Sequence, residues 1–415
     1  MTRAFLVSIG DELLLGEIVD TNQPHIAQSL LPLGIIVCQT VTVGDKIEEI
    51  VEAFQRALSL ADVVIATGGL GPTDDDLTLE ALAKACGVEL EFREEVMEQM
   101  AVRLKRPVTA FSQSNRKQAL LPKGARVLRN DWGTAPGVHL PAPDGKHFFL
   151  MPGVPREMKG ILAERIVPIL SSQFSSPQFI LIKRYHCFGI GESVVGERIQ
   201  ALMQAGCNPD VGTRVNDGVV TVRLVAQGEN EDAAQAVLQP AADQVRTALG
   251  EGLFGEDDET LNRAAMKALC MRHKTVAIAE SCTAGLVSAL LAEVPGASAA
   301  LMEGAVVYSN DSKIRTCGVK AETLQEHGAV SAQTAQEMAT GIRIRAGTDI
   351  GLGVTGIAGP GGGTASKPVG LVYFCIATQK DVKIIERMYP GLDRNTLRER
   401  AAMQAIDLIR RAALE

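Results

Sequence analysis

Asp62-Val63-Val64-Ile65-Ala66-Thr67-Gly68-Gly69-Leu70-Gly71-Pro72-Thr73-Asp74-Asp75-Asp76 decides the fold class, because an apolar strand runs directly into a turn built of glycines and acids. A short apolar run bounded by turn residues suits a strand buried on both faces. Upstream, residues 4–9 read as another such strand, Asn22 to Leu33 as a helix and Ile35 to Thr40 as a further strand. An amphipathic helix follows Asp45, with Ile47, Ile50, Val51, Phe54 and Leu58 on one stripe and Glu48 placed for a capping box. Strands alternating with helices imply a doubly wound α/β domain, a parallel sheet with helices on both faces.

At 415 residues the chain exceeds a single core, since domains cluster near ~100–150 residues. The first α/β domain is expected over 1–170, ending at the linker-like Ser171-Ser172-Gln173-Phe174-Ser175-Ser176-Pro177. A small α+β domain is expected over 177–250: a strand near Phe179–Tyr185, a helix after Glu192, a strand at Val219–Ala226 and a helix from Asp232 to Leu249. Gly250 to Asp258, rich in Gly and acid, reads as a second boundary. The third domain, 257–415, is again α/β, with helices at Thr260–Arg272, after Thr283, after Ser331 and from Asp393. Its strands are expected at Thr275–Ala279, Ala305–Tyr308 and near Ile350–Val354, with a hairpin across Thr378–Asp381.

A net charge of −8 argues against a nucleic-acid partner, because polyanion binding rests on Lys and Arg neutralising phosphates. Eight scattered cysteines without a C-x-x-C pair fit a reducing cytoplasm. No leader-like start and no run of ~20 apolar residues is present, so a cytoplasmic protein without a membrane partner is expected.

Three Gly- and acid-rich segments stand at expected strand ends, where open α/β sheets place ligands. They are Gly10-Asp11-Glu12-Leu13-Leu14-Leu15-Gly16 with Asp20 and Asn22, then Thr67 to Asp76, and Met151-Pro152-Gly153-Val154-Pro155. Glycines let backbone N–H groups approach a phosphate, and carboxylates can hold a divalent cation beside it, so a metal–diphosphate site is one reading. The other is that Gly68, Gly69 and Gly71 make a tight turn and Asp74, Asp75 and Asp76 cap the helix beginning near Leu77.

In the third domain Ala279-Glu280-Ser281-Cys282-Thr283-Ala284-Gly285 follows a strand and opens a helix. Ser281 could be an exposed nucleophile whose oxyanion meets free helix N–H groups, or an ordinary helix cap. Cys282 is a rival nucleophile without a basic cluster to activate it. Tyr308-Ser309-Asn310-Asp311-Ser312-Lys313 brings a lysine to another strand end, either a base made competent by burial or a solvated surface residue. Gly351 to Gly363 contains a formal G-x-G-x-x-G, but Pro360 and the glycine run replace the helix that a dinucleotide fingerprint requires. It reads instead as a backbone cradle for a nucleotide, to which Thr355 adds a hydroxyl.

With Phe111-Ser112-Gln113-Ser114-Asn115-Arg116-Lys117-Gln118-Ala119, Asn130 to Gly137, Phe188-Gly189-Ile190-Gly191-Glu192-Ser193, Lys367-Pro368-Val369-Gly370 and Gly391-Leu392-Asp393-Arg394, these segments resemble the CinA family over essentially the whole chain. The resemblance implies a molybdopterin-binding-like domain, a KH-like middle domain and a nicotinamide-nucleotide amidase domain. For the first it implies hydrolysis of ADP-ribose with a divalent metal (Mg, Mn or Co) and potassium. Substrate would lie against Gly10, Asp11, Glu12, Asn22, Thr67, Gly68, Gly69, Gly71, Asn115, Pro152 and Gly153, with metal at Asp74, Asp75 and Asp76. For the last it implies deamidation of nicotinamide mononucleotide without a cofactor by Ser281, Tyr308 and Lys313, with substrate held by Thr283, Gly285, Thr355, Gly356, Ala358, Gly359 and Arg394. Leu392 interrupts the family's G-D-R segment before Arg394. The middle domain carries G-x-x-G spacing only at Gly252 to Gly255, its exit boundary, so a spacer or dimerisation role is expected there rather than RNA binding. A homodimer is the default assembly. Two other readings remain at this point: an amidase with a degenerate molybdopterin-type binder, and a nonenzymatic competence-associated interaction protein.

Overall fold

The computed structural model describes residues 2–142, 145–174, 179–204 and 206–415. It separates into two compact units, Met1–Leu181 with Ala226–Leu238, and Ile182–Val225 with Gln239–Glu415.

In the first unit a six-stranded sheet has the spatial order Ile35–Val43, Thr2–Ile9, Val63–Thr67, His147–Met151, Gly137–Pro141, Arg126–Leu128. The first four strands are parallel, and Gly137–Pro141 runs antiparallel to both its neighbours. Side-chain alternation on Thr2–Ile9 sends Phe5, Val7 and Ile9 into the core under helices Ile47–Leu60, Thr78–Cys86 and Glu94–Leu104. Ala4 and Leu6 enter the opposite core, under Asn22–Leu30 and Pro155–Ile161. Helices therefore cover both faces, as expected, and the loops named above sit at one end of the parallel strands.

The second unit carries a five-stranded sheet ordered Leu301–Val306, Val276–Glu280, Ile350–Gly356, Leu371–Ala377, Val382–Met388. Its first three strands are parallel, and the hairpin expected at Thr378–Asp381 adds the last strand. Val276, Ile278, Leu352, Val354 and Phe374 pack under helices Leu261–Met271, Leu286–Ala292 and Arg394–Leu414. Ala277, Ala279, Met338 and Ile342 form the core on the other side, with helix Ala332–Ala346. The middle segment contributes a second, four-stranded sheet ordered Asp210–Asn216, Val219–Gly228, Phe179–Phe188, Leu253–Glu256. Among the described residues no helix is long and apolar enough to cross a membrane.

Two local expectations fail for identifiable reasons. The capping box at Glu48 does not form; Asp45 instead accepts a hydrogen bond from the Asp11 amide at 3.0 Å, and Lys46 precedes the helix without a side-chain cap. Of the linker-like Ser171 to Pro177, Ser171 to Gln173 finish the helix Val167–Gln173, while Ser175, Ser176 and Pro177 lie outside the described residues. The Gly250 to Asp258 boundary contains a strand, because Leu253–Glu256 pairs with the middle-sheet strand at Tyr185 to Cys187.

Candidate active site

Strand Val276–Glu280 is wholly buried, and the chain leaves it through Ser281, whose amide donates to the Val354 carbonyl of the neighbouring strand at 2.9 Å. The next helix begins only at Leu286, after Ala284 and Gly285 at positive φ (51° and 92°). Ser281 is therefore not its cap. That part is taken by Glu280, fully buried, whose Oε2 accepts from the Gly285 and Val287 amides (3.0 and 3.1 Å) and Oε1 from the Ser288 amide and hydroxyl (2.9 and 2.7 Å). The helix N–H groups expected to meet an oxyanion are thus already occupied, and the Gly285 amide with them. Sequence reasoning missed Glu280 although it is part of the motif; a buried acid just before a helix start is the signal that could have found it.

Lys313 lies on helix Asn310–Cys317, capped by Ser309, and is 1% exposed. Its Nζ contacts Ser281 Oγ at 3.1 Å, the Val307 carbonyl at 2.9 Å and the Tyr308 carbonyl at 3.2 Å. Burial pushes its ammonium below the usual lysine range, and the nearby Cys282 and Cys317 oppose this only in part. Nζ donates to all three oxygens, and on losing a proton the amine can turn its lone pair to the Ser281 hydroxyl. The surface alternative for Lys313 is excluded. Cys282 is buried, and burial raises its thiol to about 12, so it is no rival nucleophile.

Tyr308 is exposed, with its hydroxyl 2.7 Å from an Arg394 guanidinium nitrogen; only its backbone reaches Lys313. Arg394 also donates to the Gly359 carbonyl at 2.8 Å. Tyr308, Arg394 and Gly359 therefore come together despite the Leu392 interruption. Several of the other residues expected to bind substrate are engaged within the fold. Thr355 is buried and donates to the Ala329 carbonyl at 2.7 Å. Gly356 leaves no room for a Cβ beside Val372 and Leu371, and Ala358 is in the core. Gly351 and Gly353 lie directly beneath helix Ala332–Ala346, where a Cβ would strike the Ala339 and Ala335 carbonyls, so this half of the glycine run serves helix packing rather than a cradle. Thr283 is fully buried, and its hydroxyl has no partner among the described residues. Lys367, quoted above only as part of a motif, ties its loop to the His327 and Val330 carbonyls at 2.5 and 2.7 Å.

Glu280→Ala would leave three amides and a hydroxyl without their acceptor, and we expect a loss of about 3–5 kcal/mol. Urea unfolding checks this, and an unchanged midpoint would contradict the capping assignment.

In the first unit a cavity of about 570 Å³ is lined by Gly10, Glu12, Gly68, Gly69, Gly71, Asp75, Asp76, Pro152 and Gly153. Asp11, Asn22, Thr67, Asp74 and Asn115 do not line it. Asp11 exchanges hydrogen bonds with Asp45 through both backbones, Asn22 donates to the Gly153 carbonyl at 2.7 Å, and Thr67 ends its strand. Asn115 joins its Ser112 cap, while Lys117 of the same short helix holds the carbonyls of Thr73 and Asp74 at 3.1 and 3.3 Å. Asp76 neither caps the following helix nor stands free. Its Oδ1 accepts from the Gly71 amide (2.7 Å) and its Oδ2 from the Thr73 amide and hydroxyl (2.8 and 2.5 Å), closing the loop on itself. Gly68 and Gly69 have φ of 104° and 63°, and a Cβ would collide with the Ile9 carbonyl or the Thr78 hydroxyl.

Asp45, Gln118, Thr134 and Glu157 also line the cavity and were not anticipated. Asp45 directly follows the strand Ile35–Val43 and Gly44, a fourth strand end of the same kind as the other three. Burial, reinforced by Asp11, Glu12 and Asp75, raises its carboxyl above the usual range. Among the described residues no three side chains form a ready-made metal cluster.

Residues 5–172 match the family described as "Probable molybdopterin binding domain", 183–255 the "Damage-inducible protein CinA KH domain" and 258–413 the "CinA C-terminal domain". A CinA-like protein of Kosmotoga olearia is 40% identical over 412 residues, covering 99% of each chain. A competence-damage inducible protein of Clostridium perfringens is 41% identical over 409 residues, covering 99% of this chain and 98% of its own. The crystal structure of CinA from Thermoplasma acidophilum is 34% identical and covers 40% of this chain and 98% of its own, with a TM-score of 0.38. Three family matches laid end to end, with relatives of this identity along the full length, show that the chain belongs to the CinA family.

Proposed function

We propose that the C-terminal α/β region hydrolyses the carboxamide of nicotinamide mononucleotide, releasing ammonia and nicotinic acid mononucleotide. The observation that carries this reading is the buried Lys313 amine 3.1 Å from the Ser281 hydroxyl, with only carbonyls as its other partners. Lys313 takes the hydroxyl proton as Ser281 Oγ bonds to the carboxamide carbon. The C–N bond then breaks as the Lys313 ammonium returns that proton to the departing nitrogen, and ammonia leaves. Water, deprotonated by the same amine, cleaves the acyl-serine ester and restores the hydroxyl. Tyr308 and Arg394 bind the substrate's phosphate, an acceptor that suits a guanidinium and a phenol already aligned with each other.

The first unit, on the same proposal, hydrolyses ADP-ribose to AMP and ribose 5-phosphate in the 570 Å³ cavity. Its glycine loops offer backbone donors, and the carboxylates of Glu12, Asp45 and Asp75 fit a divalent cation held by one or two acids together with substrate phosphates and water. A cation bound there would neutralise the charge of the diphosphate. Asp74 does not line the cavity, and Asp76, which does, holds its loop with both carboxylate oxygens, so neither is counted in this set.

One incubation of purified protein with each nucleotide, following ammonia and AMP separately, tests both halves. Asp45→Ala and Asp75→Ala should each lower AMP release by about 10²-fold or more without touching ammonia release; full activity in both would remove these carboxylates from the reaction.

A further inference from the structure

Gln118 ends the segment Phe111-Ser112-Gln113-Ser114-Asn115-Arg116-Lys117-Gln118, lines the cavity of the first unit and is 2% exposed. Its Nε2 donates to the Leu70 carbonyl at 3.0 Å, fixing the glycine loop, while its Oε1 is buried and has no partner among the described residues. A buried acceptor left unmet is costly, and native proteins rarely keep one without a use. The rest of the wall sharpens what that use is. The ionisable side chains lining the cavity are Glu12, Asp45, Asp75, Asp76 and Glu157, with no Lys, Arg or His. The charged side chains lining it are all acceptors, so an O–H or N–H on a bound ligand would complete Gln118.

We propose that Gln118 is a specificity-determining residue whose Oε1 accepts a hydrogen bond from a donor on the bound nucleotide, either a ribose hydroxyl or the exocyclic amine of the base. This rests on the reading of the cavity as an ADP-ribose site. Nε2 and Oε1 divide the work: one holds the loop, the other reads the ligand. A site built to accept a substrate donor rejects an analogue lacking it, because the acceptor is then left buried and unmet.

Gln118→Met keeps the length of the side chain and removes the acceptor; Gln118→Glu keeps an acceptor and removes the donor to Leu70. Steady-state hydrolysis is measured for both and for the unaltered protein with ADP-ribose, its hypoxanthine counterpart, which lacks the amine, and its 2′-deoxyribose counterparts. In Gln118→Met the KM for ADP-ribose should rise about five- to tenfold with kcat little changed, and the unaltered protein's preference over one analogue should vanish. Which analogue loses its handicap identifies the amine or the hydroxyl. Gln118→Glu should retain more of that preference than Gln118→Met. If the unaltered protein neither binds nor hydrolyses ADP-ribose, the cavity reading fails and takes this inference with it. If it hydrolyses ADP-ribose and Gln118→Met keeps both KM and preference, or loses only thermal stability, the inference alone is overturned.

Discussion

Replacing Ser281 by alanine should lower ammonia release from nicotinamide mononucleotide by about four orders of magnitude or more, with no measurable change in folding. The size of the effect follows from the absence of a substitute. Cys282, the adjacent nucleophile, is buried with its thiol held at about 12, so it cannot stand in near neutral pH. The small structural effect follows from what Ser281 Oγ does in the fold, where its one side-chain hydrogen bond among the described residues is with the Lys313 amine. The turn itself is held by backbone bonds from Ser281 to Val354 and from Ala284 to Ser281, and by Glu280, none of which involves the hydroxyl. Purified Ser281→Ala that folds normally and still releases ammonia at the unaltered rate would sink the acyl-serine mechanism. AMP release from ADP-ribose, assigned to the other unit, provides the internal control.

How far these sites could be read from sequence depends on how local their chemistry is. The two parallel sheet cores were legible because buried strands such as Val63–Thr67 and Val276–Glu280 are continuous apolar runs, and because a helix such as Ile47–Leu60 carries its apolar stripe in its own periodicity. Motif residues were found at strand ends for the same reason. What could not be read was which polar group meets which. Asp76 reads in sequence as a metal ligand or a helix cap, and only the structure shows its carboxylate closing the turn to Gly71 and Thr73. Thr355 looked like a ligand hydroxyl until Ala329, 26 residues away, claimed it. Glu280, Asp45 and Gln118 were passed over because their importance comes from partners elsewhere in the chain or from burial, and neither has a local pattern. The glycine run misled for a related reason: Gly351 and Gly353 are small because a helix crosses them, a constraint that sequence does not distinguish from close approach of a phosphate.

Replacing Lys313 by methionine should reduce deamidation by about 10²- to 10⁴-fold, the usual worth of a positioned acid–base group, and should erase the pH dependence this lysine imposes. In the unaltered protein the rate should climb as Lys313 loses its proton, along a limb lying below the ordinary lysine range of ~10.4, because burial disfavours the ammonium. Folding stability carries the same signature. Between the lowered folded value and the ordinary unfolded one, the unfolded chain binds the extra proton, so this residue makes stability rise with pH across that window and contributes no slope above it. Methionine has no proton to bind, and that contribution should disappear from urea unfolding measured at a series of pH values. It also leaves the Val307 and Tyr308 carbonyls without their donor, which offsets the relief of no longer burying an amine. Stability and catalysis are thereby separable: a merely structural lysine would move the unfolding midpoint and leave the alkaline limb of the rate profile in place. Retention of that limb in Lys313→Met, with its midpoint unshifted, would assign the base to another group.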